Sequence, residues 1–356
     1  MSLVSAIIAL GALIFVHELG HFLVAKLAGV GVETFSLGFG PRLVGIKRGE
    51  TDYRISAIPL GGFVRMVGEH PGDEVSPEDL PRSFSHKPLG WRVAIVAAGP
   101  AANVLLALLI YYFVLVTWGI PNLTTMVGDV LPDQPAKQAG MQKGDLVRAI
   151  NGKPVVYWTD MVAAIQQNQT RPMHMVLERA GQAVEVSINP REVVVKDIFN
   201  EEHRVFRIGI RASHQMVVRE VGFLEAVDWA LRKTYLAGEL IAVSVIKLVQ
   251  RKVSMDNLGG PILIAQAASE AASQGLPPLL DLTALISVNL AVLNLLPIPA
   301  LDGGHLFFFL LEAIRRKPVS RSTRDKAQQV GMALLLLLML VIFYNDIARI
   351  VAGGSQ

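Results

Sequence analysis

Four long apolar runs constrain the fold of this chain more than any other feature. A helix crosses a bilayer in about 17–25 residues, and each run has roughly that length. Hydrophobic residues make up 52% of the 356 residues and charged residues 18%, below the roughly 25% charged residues of soluble domains. The sequence therefore predicts a polytopic α-helical membrane protein embedded in a lipid bilayer, with about four transmembrane helices. The predicted spans are residues 3–24, 93–118, 282–298 and 331–350.

The charges between the spans predict the orientation of the chain. Nine Lys or Arg residues lie in residues 25–92 and six in residues 315–326. Short basic connections remain in the cytoplasm, so both termini and the long segment 119–281 are expected outside. The net charge of +3 gives no case for nucleic-acid binding. The chain has no cysteine, so a metal must bind to His, Asp or Glu.

The remaining segments predict soluble elements between the spans. Residues 126–190 combine short apolar strands, an Asn-Gly turn and one helix near 160–167, a pattern typical of a small β-rich domain. A further strand is expected at 203–211. Residues 222–250, inside a connector at 213–281, predict an amphipathic helix on the membrane surface, with a fifth span as the alternative. The cytoplasmic loop 32–67 is also β-rich. The predicted domains are 1–118, 119–212, 213–281 and 282–356.

The sequence HELGH at residues 17–21 carries the clearest chemical signal. His17 and His21 are four residues apart, so a helix presents both on one face, where they can bind one metal ion. Glu18 lies about 100° round that helix and is placed to take a proton from a water at the metal. Ionisable groups inside an apolar span are costly and therefore candidates for function. The pattern predicts a metal site in which Glu18 can hold a metal-bound water and take its proton.

The third metal ligand is expected from a carboxylate at the same depth in the membrane. Asp302 follows the third span, and both this span and the first run from outside to inside in the predicted topology. Two alternatives remain open at this point. Asp302 could instead cap the N-terminus of the next helix, and His305 could be the ligand.

Three further stretches are candidates for holding a substrate. Asn294 precedes a Pro-Ile-Pro sequence that breaks the third span, and it could bond a peptide or a neighbouring helix. Glycines punctuate the strand-like residues 59–66, which could hold an extended peptide along a strand edge or form a plain hairpin. Asn103 follows small residues that favour close helix packing, and it could orient a neighbouring group. The candidate substrate-binding residues are Gly61, Gly62, Phe63, Val64, Asn103 and Asn294.

Together these motifs resemble the site-2 protease family of intramembrane zinc metalloproteases, in particular the bacterial regulator of sigma-E protease. The resemblance rests on HELGH at 17–21, PLGGFVRM at 59–66, GPAAN at 99–103 and NLLPIPALDGG at 294–304. Residues 127–152 are similar to a bacterial PDZ domain. Only one PDZ copy is recognisable, whereas the best-known sigma-E members carry two, which leaves the substrate and its gating open.

The resemblance implies zinc binding by His17, His21 and Asp302, and catalysis by Glu18. It also implies a bacterial inner-membrane enzyme of regulated intramembrane proteolysis, with the active site near the cytoplasmic side and the PDZ domain outside. Expected substrates are single-span membrane proteins, such as anti-sigma factors, and remnant signal peptides. The alternative is a non-catalytic, membrane-anchored PDZ receptor with a structural metal, which would need His305 as a fourth ligand. A metal transporter ranks last, because the second and fourth spans are nearly free of polar residues.

Overall fold

The computed structural model describes residues 2–69, 75–197, 199–253 and 259–351. The chain forms two compact units, one comprising Met1–Val114 with Ala226–Gln356 and the other comprising Leu115–Glu225. The first unit contains the long apolar helices and is called the membrane unit below. The second contains most of the short strands and is called the β unit.

Four helices of the described chain are long and apolar enough to cross a membrane, as the sequence predicts. They are α1 (Ser2–Leu27), α2 (Leu89–Trp118), α7 (Leu276–Asn294) and α9 (Arg321–Val351). The third span begins at Leu276 rather than 282, and its helix ends at Asn294 rather than 298. In chain order the helices are α1 (Ser2–Leu27), α2 (Leu89–Trp118), α3 (Pro135–Gln138), α4 (Trp158–Asn168), α5 (Phe223–Val249), α6 (Pro261–Gln274), α7 (Leu276–Asn294), α8 (Asp302–Arg315) and α9 (Arg321–Val351).

Small residues let α1 and α2 approach closely, as the GPAAN motif predicts. A Cβ added to Gly20 of α1 would collide with the carbonyl oxygen of Ala98 and lie 2.8 Å from the Cβ of Ala102. Glycine and alanine at a helix crossing permit this kind of backbone contact inside a membrane. Helix α2 continues through Pro100, so the histidine-bearing face of α1 packs against one unbroken helix.

Between α1 and α2 the chain forms a sheet from two long, bent antiparallel strands. Residue Thr34 pairs with both Asp52 and Arg65, so the start of the first strand lies between the two halves of the second. Gly38 and Gly40 have φ values of +92° and +87° where the first strand bends, a conformation that glycine adopts without strain. The strands are β1 (Val32–Arg48) and β2 (Thr51–Met66), in agreement with the β-rich loop predicted at 32–67.

In the described part of the chain, the β unit contains one four-stranded sheet, in the order β6 (Lys153–Pro154), β5 (Leu146–Ile150), β7 (Met173–Arg179) and β8 (Gln182–Ile188), and three two-stranded pairs. Helix α4 buries Met161 and Ile165 in its core, beside Met173, Met175 and Leu177 of β7. The strands are β3 (Ile120–Leu123), β4 (Val127–Val130), β5 (Leu146–Ile150), β6 (Lys153–Pro154), β7 (Met173–Arg179), β8 (Gln182–Ile188), β9 (Arg191–Lys196), β10 (Glu202–Arg207), β11 (Ile210–Ala212) and β12 (Met216–Arg219).

The single strand predicted at 203–211 is wrong in one respect, because the structure divides it into β10 and β11. The break falls at Gly209, whose φ is +84° and whose missing Cβ leaves room for the side chain of Gln134. β10 pairs with β9, whereas β11 pairs with β4. A positive φ cannot be read from apolar periodicity, which continues across the break.

The predicted connector at 213–281 is more varied than one amphipathic helix. β12 pairs with β3 and therefore belongs to the β unit. Helix α5 is not among the candidate spans of the described residues, which does not favour the fifth-span alternative. In the membrane unit, Lys233 Nζ lies 2.8 Å from Asp281 Oδ1. A Cβ on Gly238 would lie 3.7 Å from Val288, so this part of α5 runs alongside α7 in the same direction.

Candidate metal centre

The two histidines of HELGH lie on one buried face of α1. His17 and His21 are each 8% exposed, and their two Nε2 atoms are 3.1 Å apart. The imidazole rings meet edge to face, with centroids 4.8 Å apart. This is the arrangement that the spacing of four residues predicts, and it points both Nε2 atoms at one place.

Asp302 completes a group of three at that place. Its Oδ2 lies 3.1 Å from His17 Nε2 and 3.6 Å from His21 Nε2. The same Oδ2 is buried and has no hydrogen-bond partner. The alternative role as a helix cap is not observed, because Leu301 occupies the N-cap position and Asp302 is the first residue of α8.

The three side chains fit a divalent metal ion. Their ligand atoms all lie within 4.8 Å of one another. Two imidazole nitrogens and one carboxylate oxygen form a ligand set that catalytic zinc sites use, with a further position left open. A buried carboxylate oxygen that accepts no hydrogen bond is costly on its own, and a cation would satisfy it. His305 lines the same cavity but is not part of this group in the described chain.

A break in the membrane helices and two glycines place Asp302. Residues 295–301 are not helical and separate α7 from α8, as the two prolines predict. A Cβ on Gly303 would collide with the carbonyl oxygens of Leu295 and Leu296, and one on Gly304 would collide with that of Ile298. The glycines therefore let the first turn of α8 pack directly on the irregular segment.

Helix α8 is also held at its far end. Arg92 of α2 forms a bidentate ion pair with Glu312, with its Nη1 3.2 Å from Oε2, and its guanidinium lies 5.1 Å from the ring centroid of Phe309. The pair is largely buried. A bidentate arginine–carboxylate contact fixes direction as well as distance, so the helix that begins at Asp302 is fastened to α2.

Helix α2 supports the histidines from the other side. His21 Nδ1 lies 2.8 Å from the carbonyl oxygen of Ile95, and a carbonyl only accepts, so Nδ1 carries the proton and Nε2 is left with a free lone pair. A Cβ on Gly99 would collide with His21 and lie 2.8 Å from Cε1 of His17. Asn103 is fully buried, with its side chain next to His17.

The other predicted residues surround the same centre. Glu18 lines two cavities, of about 260 and 350 Å³, and both include His17, Asp302 and His305. A Cβ on Gly62 would lie 3.0 Å from Glu18 Cγ, so the strand packs directly on this side chain. The remaining predicted residues at these cavities are Phe63 and Val64 at the smaller, and Gly61, Asn103 and Asn294 at the larger.

Sequence reasoning missed several side chains of the smaller cavity. Glu69, Arg324 and Gln328 contribute polar groups to it. Arg324 belongs to the basic segment 315–326, which the sequence shows only as an orientation signal. The Ile95 carbonyl is a backbone group and has no sequence signal at all.

Comparison with known proteins shows the family to which this chain belongs. The sequence pattern described as peptidase family M50 matches residues 5–338. The chain belongs to peptidase family M50. It is 32% identical to the zinc metalloprotease RasP of Geobacillus kaustophilus, with 98% of each chain covered. It is 31% identical to the regulator of sigma-W protease RasP of Bacillus subtilis, covering 98% of this chain and 99% of that one.

One solved structure is also similar to part of this M50 peptidase. It is the PDZ domain of an SdrC-like protein from Listeria monocytogenes, at 18% identity and a TM-score of 0.21, covering 24% of this chain and 84% of that one.

The M50 family and its named relatives identify the chain as a zinc metalloprotease. This excludes the non-catalytic PDZ receptor and the metal transporter as its main function. Four candidate spans and bacterial relatives make it a membrane-embedded member of the family. The expected zinc cofactor and the expected enzyme class are thereby confirmed.

Proposed function

We propose that this M50 peptidase cleaves peptide bonds in or near the transmembrane segments of single-span membrane proteins. The observation that carries the proposal is the position of the metal centre. The candidate span of α1 covers Leu10–Leu27 and so includes both His17 and His21. A protease centre at this depth is accessible to a substrate that is itself in the membrane. Anti-sigma factors and remnant signal peptides are the proposed substrates, in regulated intramembrane proteolysis.

We assign zinc binding to His17, His21 and Asp302, and acid–base catalysis to Glu18. When bound, zinc supplies Lewis acidity toward the scissile carbonyl and lowers the pKa of water. Glu18 accepts the proton of the attacking water on its carboxylate and passes it to the leaving amine nitrogen. A hydrogen bond from the Val64 N–H holds the carboxylate at the cavity.

The edge of β2 is the proposed support for the unwound substrate. The Val64 N–H donates to the Glu18 carboxylate, so this edge of the strand faces the catalytic centre. Residues 62–66 pair with β1 on one side, and no strand of the described chain pairs with their other side. An extended peptide added here would take the Val64 N–H in place of the Glu18 carboxylate, with Asn294 as a second contact across the larger cavity.

Residues 119–212 of the β unit form the proposed PDZ domain, which acts as a size filter for ectodomains. A groove of about 500 Å³ runs between α4 and the end of β10. Apolar side chains line much of it, including Trp158, Met161 and Phe206. A groove between a helix and a strand is the place where a PDZ domain takes an extended segment.

The proposed orientation puts the β unit outside the cytoplasm and the β1–β2 sheet inside. The chain has no native cysteine, so labelling of a single introduced cysteine shows on which side of the membrane that residue lies. Lys143 and Arg48 are both exposed. In intact cells, a membrane-impermeant maleimide should label Lys143→Cys. It should label Arg48→Cys only after lysis, and the opposite pattern would overturn the orientation.

Cleavage itself is tested with the purified enzyme in liposomes and a single-span protein that lacks a bulky ectodomain. Mass spectrometry of the products locates the cut. The proposal expects a cut inside or at the edge of the span, abolished by a zinc chelator and restored by added zinc. Cleavage confined to unfolded soluble proteins, with the span left intact, would contradict it.

A further inference from the structure

We infer that Asn103 is a positioning residue for His17, fixing the imidazole so that Nε2 faces the zinc. The inference rests on the metal ligands proposed above and concerns a residue that the sequence leaves open between substrate binding and the orientation of an unidentified neighbouring group. Asn103 has no exposed surface, and its side-chain nitrogen Nδ2 lies 3.4 Å from His17 Nδ1.

The position of Asn103 in α2 points to this role. Four positions of α2 are spaced by three or four residues and therefore lie along one face of the helix. They are Arg92, Ile95, Gly99 and Asn103. This face meets, in order, Glu312 of α8, the Nδ1 of His21, the two imidazole rings and the Nδ1 of His17. Each position contacts the metal centre or the helix that begins at Asp302.

The tautomer of His17 determines which way the side-chain amide of Asn103 is oriented. A neutral imidazole that binds metal through Nε2 carries its proton on Nδ1, which is then a donor. Only an acceptor can satisfy that proton. The Oδ1 of Asn103 is buried with no hydrogen-bond partner, and rotating the amide by 180° exchanges Oδ1 and Nδ2. Oδ1 then faces Nδ1 and accepts its hydrogen, in parallel with the Ile95 carbonyl at His21.

A second contact holds the backbone of Asn103 in place. The hydroxyl of Ser287 in α7 donates to the Asn103 carbonyl at 2.8 Å, and Ser287 is itself fully buried. Helix α7 leads through residues 295–301 to Asp302. Residue 103 thus connects the helix that orients His17 with the helix that leads to the carboxylate.

The test measures zinc affinity, by competition with a chromophoric chelator, in the full-length protein in detergent. Asn103→Leu keeps the size of the side chain but removes the acceptor. It should weaken zinc binding by about 10–100-fold, the usual effect of losing an outer partner of a metal-bound histidine. Asn103→Asp keeps an acceptor for Nδ1–H and should bind zinc within a few-fold of wild type. Thr234→Val removes a buried hydroxyl that bonds only within α5 and serves as the control.

The outcomes separate the possible roles of Asn103. A packing role predicts the reverse order, with Leu tolerated and a buried Asp harmful, and a substrate role predicts unchanged zinc affinity with a raised KM for Asn103→Leu. Either result overturns the inference. A wild-type protein that binds no zinc would instead refute the proposed metal ligands. The cobalt-substituted enzyme gives a second readout, because its visible spectrum should change in Asn103→Leu and remain close to wild type in Thr234→Val.

Discussion

Two groups in the described chain bring His and carboxylate ligand atoms within 4.8 Å of one another, and they differ in how those atoms are used. One is His17, His21 and Asp302 in the membrane unit, and the other is Asp197, Glu201 and His203 in the β unit. Composition and distance alone do not distinguish them. Burial and hydrogen bonding do.

In the Asp197 group, two residues are partly buried and one is exposed, and the Asp197 carboxylate already has hydrogen-bond partners. Asp197 Oδ1 accepts hydrogen bonds from the backbone N–H groups of Phe199 and Glu201, at 2.8 and 2.9 Å. Oδ2 lies 2.9 Å from His203 Nε2, and the His203 side chain is 54% exposed. Desolvation raises the pKa of Asp197, but these hydrogen bonds outweigh it and hold the pKa below its ordinary value.

The Asp302 group shows the opposite pattern. Its carboxylate oxygen is buried and accepts no hydrogen bond, while the carbonyl of Ile95 already takes the proton of His21 Nδ1. Lone pairs left unused in a buried site are costly unless a cation binds them. The comparison indicates how a metal site can be distinguished from a chance cluster. Its ligand atoms lack other hydrogen-bond partners, whereas closeness of His and carboxylate side chains alone is not enough.

The largest expected effect separates the two groups directly. His21→Ala should reduce bound zinc from one ion per chain to none at micromolar zinc, because only two of the three ligands remain. His203→Ala should leave the zinc content unchanged. Metal analysis after gel filtration measures both. Loss of zinc from the His203 variant and its retention by the His21 variant would contradict the assignment of the metal site to the Asp302 group.

Gly99→Ala should come next in size. Its Cβ would occupy the space of the His21 ring, and the displaced ligand should weaken zinc binding by about 100-fold or more, above the usual loss from an outer partner. Gly90 lies in the same helix with nothing within 4 Å of an added Cβ. Gly90→Ala should leave zinc affinity unchanged and, as a helix substitution, stabilise α2 by up to about 1 kcal/mol. Equal zinc affinities in the two variants would contradict the packing described for Gly99.

Asp145 offers a third contrast, as a buried carboxylate whose hydrogen bonds are complete. It accepts two from Arg179 and one from the backbone of Gln142, at 2.7–2.8 Å. Burial raises its pKa, but these bonds outweigh that effect and hold the pKa below the ordinary 3.8. Asp145→Asn should lower the unfolding free energy of the β unit by about 1–3 kcal/mol at pH 7 and leave zinc binding unchanged.

The lowered pKa sets the sign of the pH dependence. Ionised Asp145 stabilises the fold above its unfolded pKa, near 3.9, and this contribution is lost as the pH falls through the lower folded value. The stability difference between wild type and Asp145→Asn should therefore shrink below about pH 4. Thermal unfolding followed at several pH values measures it. A difference that grows on acidification would show that the Asp145 contacts are wrongly described.

The smallest expected effect concerns the strand edge. Val64→Pro removes an N–H that faces the catalytic cavity, and an edge position tolerates proline. Loss of about one hydrogen bond to the catalytic centre or substrate should slow cleavage by about 3–10-fold, with zinc retained. Val64→Thr keeps both the shape and the N–H and should cleave like wild type. Identical rates for the two variants would remove the strand edge from the mechanism.

Much of this structure could be predicted from local sequence signals. Long apolar runs predict the four candidate spans, and the HELGH spacing predicts that His17 and His21 share a face. Two prolines predict the break before Asp302. These signals are local because helix periodicity and the loss of a proline N–H act within a few residues.

What the sequence did not predict depends on contacts between distant segments. The Ile95 carbonyl beside His21, the Arg92–Glu312 pair and the position of Asn103 arise only when α1, α2 and α8 pack together. The break at Gly209 follows from a side chain about 75 residues earlier. Periodicity carries no information on such partners, which is why the sequence lists Asn103 as a candidate for substrate binding and does not identify the histidine beside it.

Glu18 gives the most direct test of the central claim that this M50 peptidase is a zinc protease whose general base lies beside its metal ligands. Wild type and Glu18→Gln are purified in detergent and measured for bound zinc and for cleavage of a short single-span substrate. The account predicts one zinc per chain in both proteins and cleavage by wild type alone. Cleavage by Glu18→Gln at a rate comparable to wild type would contradict it.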